Sequence, residues 1–289
     1  MLSAKHKGIL AMIASAFGFA LMALCVRLAD DYGGPVSSFQ KSFFRNLIAL
    51  LIALFAVIRS PLRRPSEAVP TRRGWALLGL RSLLGTIGIF ANFYALSHIP
   101  IAEGQTLNKT APFFTVLFAW AFIKERAGVR QILTLLIAFA GVLLIVKPGF
   151  AGEAAFPLEM GLLGGVCAGG AYACVRAMRK DGVDPAFIIF VFSVFSCVAS
   201  LPFIVFDFAP MAVLQILILF GAGIGAAIGQ FGVTLAYGYA APREIAVYDY
   251  TNILFTAAFG YLFFTQLPDL WSVLGFIAIL LAACLLRKG

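Results

Sequence analysis

Ala121-Phe-Ile-Lys-Glu-Arg-Ala-Gly-Val-Arg-Gln131, running on to Lys147-Pro-Gly149, falls on Tyr261-Leu-Phe-Phe-Thr-Gln-Leu-Pro-Asp-Leu-Trp271, running on to Arg287-Lys-Gly289, when the chain is laid over itself with an offset of 140 residues. No gap is needed between the two copies. A membrane-crossing helix takes about 20 mostly apolar residues, and working outward from this repeat the chain divides into ten such stretches. They lie near Gly8–Leu28, Phe39–Ile58, Gly74–Leu96, Ile99–Phe122, Val129–Val146, Glu159–Met178, Phe187–Phe206, Val213–Ala236, Glu244–Phe264 and Pro268–Leu286. Helices are expected because lipid offers backbone groups no partner. Five stretches per copy is an odd number, so the second copy must enter the membrane upside down. The reading is therefore an all-α integral membrane protein whose ten transmembrane helices form two inverted five-helix repeats, 1–150 and 151–289, around a central cavity. Inverted repeats of this kind place the substrate near the bilayer midplane.

Composition agrees with that class. The 289 residues are 62% hydrophobic and only 12% charged, with a mean hydropathy of +0.97, against about 45–50% apolar and about 25% charged in soluble domains. No separate soluble domain fits between the spans. The net charge of +9 does not imply a nucleic-acid partner, since the basic residues form neither a stripe nor a tail. They sit in particular loops: Lys5 and Lys7; Arg59, Arg63, Arg64, Arg72 and Arg73; Lys124, Arg126 and Arg130; Arg179 and Lys180; Arg243; Arg287 and Lys288. With ten spans every one of these falls on the same side, and the positive-inside rule makes that side cytoplasmic, both termini included. Lys147 is the main basic residue opposite. The expected location is a bacterial inner membrane, with the lipid bilayer as surroundings and no obligate protein partner. The short basic start, Met1 to Lys7, leads into an apolar run without a small-residue cleavage site, so it reads as an uncleaved first span.

Cys25, Cys167, Cys174, Cys197 and Cys284 all lie inside apolar stretches without zinc or disulfide spacing, and read as small core filler. No metal and no cofactor is expected. Gly221-Ala-Gly-Ile-Gly-Ala-Ala meets a dinucleotide pattern, but inside an apolar span and without a strand before it. Asn108-Lys-Thr110 meets a glycosylation pattern at membrane depth. Neither carries weight. Gly221, Gly225, Gly229 and Gly232 share one face of the eighth span, and Gly161, Gly165 and Gly169 one face of the sixth. Gly85 and Gly88 lie on the third between Arg81 and Asn92. Such seams let backbones approach closely, and they also suit helices that slide during a transport cycle.

Ionisable residues at membrane depth are functional candidates, because a charge at the bilayer centre costs about 2.5–3.5 kcal/mol even on insertion scales. Lys109 in the fourth span falls on Asp249 in the ninth under the same offset of 140. Gln105, Thr106, Lys109, Pro112 and Phe113 share a face of the fourth span, and Asp249, Asn252 and Thr256 one of the ninth. Lys109 and Asp249 are expected to face the cavity, either paired in the empty state or holding the carboxylate and amine of a zwitterion. A buried pair that only fixes packing is the competing reading. Glu103 and Glu244 are candidates for carrying a coupling proton, against a reading as interfacial residues in contact with water or headgroups. Arg45, Arg81 and Lys41 are candidate anion contacts, ranked below the central pair because Lys41 lies near enough to the surface to snorkel and Phe187–Ser196, the equivalent stretch, carries no charge. Phe90, Asn92, Tyr94, Tyr172, Gln230 and Tyr248 are the aromatic and amide residues nearest those polar positions, and complete the candidate substrate site.

Lys41-Ser-Phe-Phe-Arg-Asn46, Tyr94-Ala-Leu-Ser-His-Ile-Pro100, Ala111-Pro-Phe-Phe-Thr-Val-Leu-Phe-Ala-Trp120, and Lys124-Glu125 ahead of Gly141-Val-Leu-Leu-Ile145 resemble, in this order, the EamA branch of the drug/metabolite transporter superfamily. The resemblance covers essentially the whole chain. It implies a basket of helices around a central cavity lined by spans 1, 3, 4, 6, 8 and 9, and export of amino acids, nucleosides or other metabolites, often by proton exchange. The second half departs from the pattern, with Thr265 in place of Glu125 and Asn252 in place of Pro112. The expected function is a secondary active transporter exporting a small metabolite such as an amino acid. The alternatives are a phosphorylated-sugar or nucleotide-type anion exchanger of the same fold and, in another class, a channel or receptor. An intramembrane enzyme has no visible catalytic constellation, since His6 and His98 are the only histidines and both lie near span ends.

Overall fold

The computed structural model describes residues 3–34, 36–59, 71–98, 107–146, 155–206, 208–264 and 270–287. Among them there are helices and connecting loops and no strand. The main helices are α1 (Ala4–Gly33), α2 (Ser38–Arg59), α3 (Arg72–His98), α4 (Ala111–Ile123), α5 (Val129–Val146), α6 (Ala155–Lys180), α7 (Pro185–Phe206), α8 (Val213–Tyr239), α9 (Thr251–Phe264) and α10 (Leu270–Arg287). Six of them, α1, α2, α3, α6, α7 and α8, are long and apolar enough to cross a membrane.

The burial pattern is inverted relative to a protein folded in water. Leu51, Phe55, Val205, Phe206, Leu217 and Leu262 are exposed, while Lys41, Arg45, Asn46, Arg81, Ser196 and Gln230 are buried. Hydrocarbon outside accepts the apolar side chains at no cost, and polar groups must find partners inside. Side-chain bonds between separate elements do part of this: Asn46 Nδ2 donates to Ser196 Oγ at 2.9 Å, Gln40 Nε2 to the Ala209 carbonyl in the loop before α8 at 2.9 Å, and Gln215 Nε2 to the Ala29 carbonyl at 2.9 Å.

The helices associate in antiparallel pairs. α1 lies along α8, α3 along α6, α2 along α7 and α5 along α10. In the first pair Ser15 Oγ donates to the Gly229 carbonyl at 2.7 Å, and a Cβ built on Gly225 would stand 2.8 Å from the Gly18 carbonyl oxygen. Backbones meet there because neither helix carries a side chain at the crossing. At the end of the bundle where α1 begins, Arg176 of α6 holds Glu125, just after α4, through its Nε at 3.1 Å and Nη2 at 2.9 Å. The same guanidinium donates to the Tyr237 carbonyl of α8 at 2.9 Å. Met12, Leu78, Met178, Ile188, Tyr237, Ile245 and Tyr250 belong to one buried apolar cluster nearby.

Two of the expected spans are interrupted. Where the sequence reading has one helix over 244–264, a single α-turn (Pro242–Ile245) leads into a 3-10 segment (Ala246–Tyr250), and regular α-helix starts only at Thr251. The fourth span behaves alike: Lys109 and Thr110 form a turn before α4 starts at Ala111. Pro112 explains the second break, since it has no N–H to continue the ladder and its ring displaces the preceding turn. The N–H groups of Phe113 and Phe114 close on the Thr110 carbonyl instead, at 3.1 and 3.2 Å. Gly165 of α6 lets this turn tuck in, because a Cβ there would stand 2.6 Å from the Leu107 carbonyl oxygen.

Candidate functional site

The breaks stand opposite one another. Lys109 lies two residues before α4 and Asp249 two residues before α9, and Lys109 Nζ meets Asp249 Oδ2 at 3.3 Å, with side-chain exposures of 7% and 13%. Both face a cavity of about 780 Å³, solvent space included. Its remaining polar lining is Arg45 from α2, Arg81 and Asn92 from α3, Asn108 beside Lys109, Tyr172 from α6, Gln230 from α8 and Asn252 from α9. Phe19 and Met22 of α1, Phe93 of α3 and Phe192 of α7 supply apolar wall.

The two arginines are buried, 6% exposed for Arg45 and 2% for Arg81. Arg81 Nη2 donates to Gln230 Oε1 at 2.9 Å, and its guanidinium lies 3.9 Å from the centre of the Phe192 ring. Arg45 stands 5.9 Å from the Phe19 ring centre. The negative faces of aromatic rings attract a desolvated cation, so these contacts hold the arginines in place without neutralising them. Among the described residues, the Nε of both arginines and Oδ1 of Asn92 have no hydrogen-bond partner. Asn252 Nδ2 donates to the Ala16 carbonyl at 2.8 Å, which ties the start of α9 to the middle of α1.

Of the residues singled out from the sequence, Lys109, Asp249, Asn92, Tyr172, Gln230, Asn252, Arg45 and Arg81 come together around the cavity. Gln105 and Glu103 lie outside the described residues. The others are elsewhere. Phe90 packs edge-on to Phe39 and Phe203 at 5.0 and 6.0 Å, between α2 and α7. Tyr94 stacks on His98 at 4.0 Å, one turn along α3. Tyr248 is buried in the apolar cluster at the 3-10 segment, because the tighter winding turns it away from the Asp249 face. Lys41 is bound to Asp30 at 2.7 Å, beyond the cavity. Glu244 sits in the α-turn Pro242–Ile245, also outside the cavity lining. Sequence reasoning passed over Phe19, Asn108 and Phe192. The stretch Phe187–Ser196, which carries no charge, supplies the Phe192 ring face to Arg81.

The model of the EamA-like transporter family matches this chain twice, over residues 6–147 and again over 157–288. The chain belongs to the EamA-like transporter family. It is 28% identical over 291 residues to the pseudopaline exporter CntI of Pseudomonas aeruginosa, covering 100% of this chain and 98% of that one. It is 24% identical to the riboflavin transporter of Brucella anthropi, covering 90% of each. Solute carrier family 35 member G1 of Homo sapiens is 25% identical, over 94% of this chain and 76% of its own length. A solved crystal structure shares the fold, with a TM-score of 0.78 at 18% identity over 95% of this chain and 97% of the other. This EamA-like protein is thus a multi-pass membrane protein and a transporter of small molecules.

Proposed function

We propose that this EamA-like chain is an alternating-access secondary transporter that exports a small amino-acid-like metabolite through the central cavity. Two inverted five-helix halves, 1–150 and 151–289, rock about the site where Lys109 and Asp249 meet. The substrate's charged groups compete with that ion pair, its carboxylate drawn to Lys109 and its amine to Asp249. Asn92, Tyr172, Gln230 and Asn252 give the remaining hydrogen bonds, Gln105 extends the same face, and Glu103 and Glu244 carry the coupling proton. Both termini lie on the cytoplasmic side of a bacterial inner membrane.

The observation that carries this reading is the contact of Lys109 with Asp249 at 3.3 Å, between positions 140 residues apart and each two residues before a helix start. Discontinuous helices meeting at a midplane site are the hallmark of carriers with inverted repeats. The helix pairing supports it as well. Moving each helix number on by five within ten turns α1 with α8 into α6 with α3 and leaves α2 with α7 and α5 with α10 unchanged, so the pairing keeps its form when the halves exchange. The twofold match of the family model points the same way.

Counterflow tests the carrier. Proteoliposomes preloaded with an unlabelled substrate accelerate uptake of the labelled one if a single site alternates between faces; flux independent of preloading marks a channel and ends the proposal. Tags on the two termini should be accessible from the same face, and tags on opposite faces refute the paired halves.

A further inference from the structure

The cavity's charges do not balance. Among the described lining residues, Arg45, Arg81 and Lys109 face one carboxylate, Asp249, which leaves a net of +2. Lys109 and Asp249 satisfy each other at 3.3 Å. Among the described residues no carboxylate lies within ion-pair distance of Arg45 or Arg81. Each keeps a buried Nε without an acceptor among those residues, and two like charges facing one cavity repel. A fixed protein carboxylate would remove that tension permanently, and among the described residues none stands beside the two arginines. Burying unpaired charge is costly, and the guanidinium fork matches carboxylate and phosphate oxygens in a way an ammonium does not.

We infer that Arg45 and Arg81 form a two-arginine receptor for the substrate's negative charges, so that the transported species is an organic anion carrying at least two of them. This rests on the cavity being the substrate site, as proposed above. Carboxylates and a phosphate monoester share the required chemistry. Lys109 and Asp249 then act on the rest of the molecule, Asp249 accepting an amine where one is present.

The test is ligand-induced stabilisation of the purified full chain in detergent, with succinate and glycerol 3-phosphate as doubly charged probes and acetate, glycine and putrescine as controls. A ligand that binds only the folded state at a hundredfold excess over its Kd raises the apparent Tm by about 5 °C or more. The expected result is a shift with succinate or glycerol 3-phosphate, at least tenfold weaker apparent binding of the controls, and loss of the shift in R45Q/R81Q. Which probe acts tells two carboxylates from a phosphate. No shift with either dianion, equal shifts with acetate and glycine, or an unaltered response in R45Q/R81Q overturns the inference. If that variant does not fold, phenylglyoxal labelling of wild-type Arg45 and Arg81 replaces it, with succinate or glycerol 3-phosphate slowing both reactions if the inference holds and neither if it fails. Counterflow separates the two proposals: dianion-dependent stabilisation without counterflow retains the arginine receptor and ends the carrier reading, while counterflow with charge-independent binding does the reverse.

Discussion

Replacing Gly225 by alanine puts a single methyl group into the close crossing of α1 and α8. The added Cβ stands 2.8 Å from the Gly18 carbonyl oxygen, 2.8 Å from the Met22 nitrogen and 3.2 Å from the Met22 Cα. Comfortable carbon contacts lie at about 3.5–4.0 Å, and all three neighbours are backbone, so no side chain can swing aside. α1 and α8 must part by roughly 0.7 Å over that turn, which also stretches the 2.7 Å bond from Ser15 Oγ to the Gly229 carbonyl. Overpacking costs about 1–3 kcal/mol, and rigid neighbours favour the upper half of that range. At about 2–4 °C per kcal/mol for chains of a few hundred residues, the apparent Tm falls by roughly 4–12 °C. Gly79 is the control, since a Cβ there meets nothing within 4 Å, and Gly79→Ala gains up to about 1 kcal/mol of helix propensity. Unfolding in detergent can be followed through a thiol-reactive dye, because Cys167, Cys174 and Cys197 are buried. An unchanged Tm for G225A, or an equal fall for G79A, refutes the reasoning.

Transport should be lost in both Lys109→Ala and Asp249→Asn, and wild-type counterflow in the two variants removes the ion pair from the mechanism. Glu125→Gln leaves the Arg176 guanidinium, whose Nε and Nη2 donate to the Glu125 carboxylate at 3.1 and 2.9 Å, facing a neutral amide. An apparent stability loss of about 1–3 kcal/mol is expected, measured as a fall in Tm, and no change would mean water already satisfies that arginine. Asn46→Ala removes the 2.9 Å bond to Ser196 that joins α2 to α7. Interhelical bonds in membranes are worth about 0.6 kcal/mol on average, so a drop of one to three degrees is expected, and a drop above ten degrees would show that Asn46 does more than pair two helices.

Membrane residence and the positions of the apolar stretches were legible in the chain, because transfer into hydrocarbon is a sum over local residues and needs no knowledge of neighbours. The partnership of Lys109 with Asp249 was legible too, since one offset of 140 aligns the segments around both. Tertiary structure decided what depth along the membrane normal leaves open, namely the direction in which each side chain points around its helix. Hydropathy cannot distinguish Phe90, wedged against Phe203, from Phe192, lying under the Arg81 guanidinium. Arg45 and Arg81 were seen as charges at membrane depth, but their convergence on one cavity, where Asp249 is the carboxylate among the described lining residues, depends on how α2, α3 and α8 pack. The 3-10 segment Ala246–Tyr250 carries no proline or glycine to announce it. It exists because its backbone settles against neighbouring helices, and that contact is a property of the folded bundle alone.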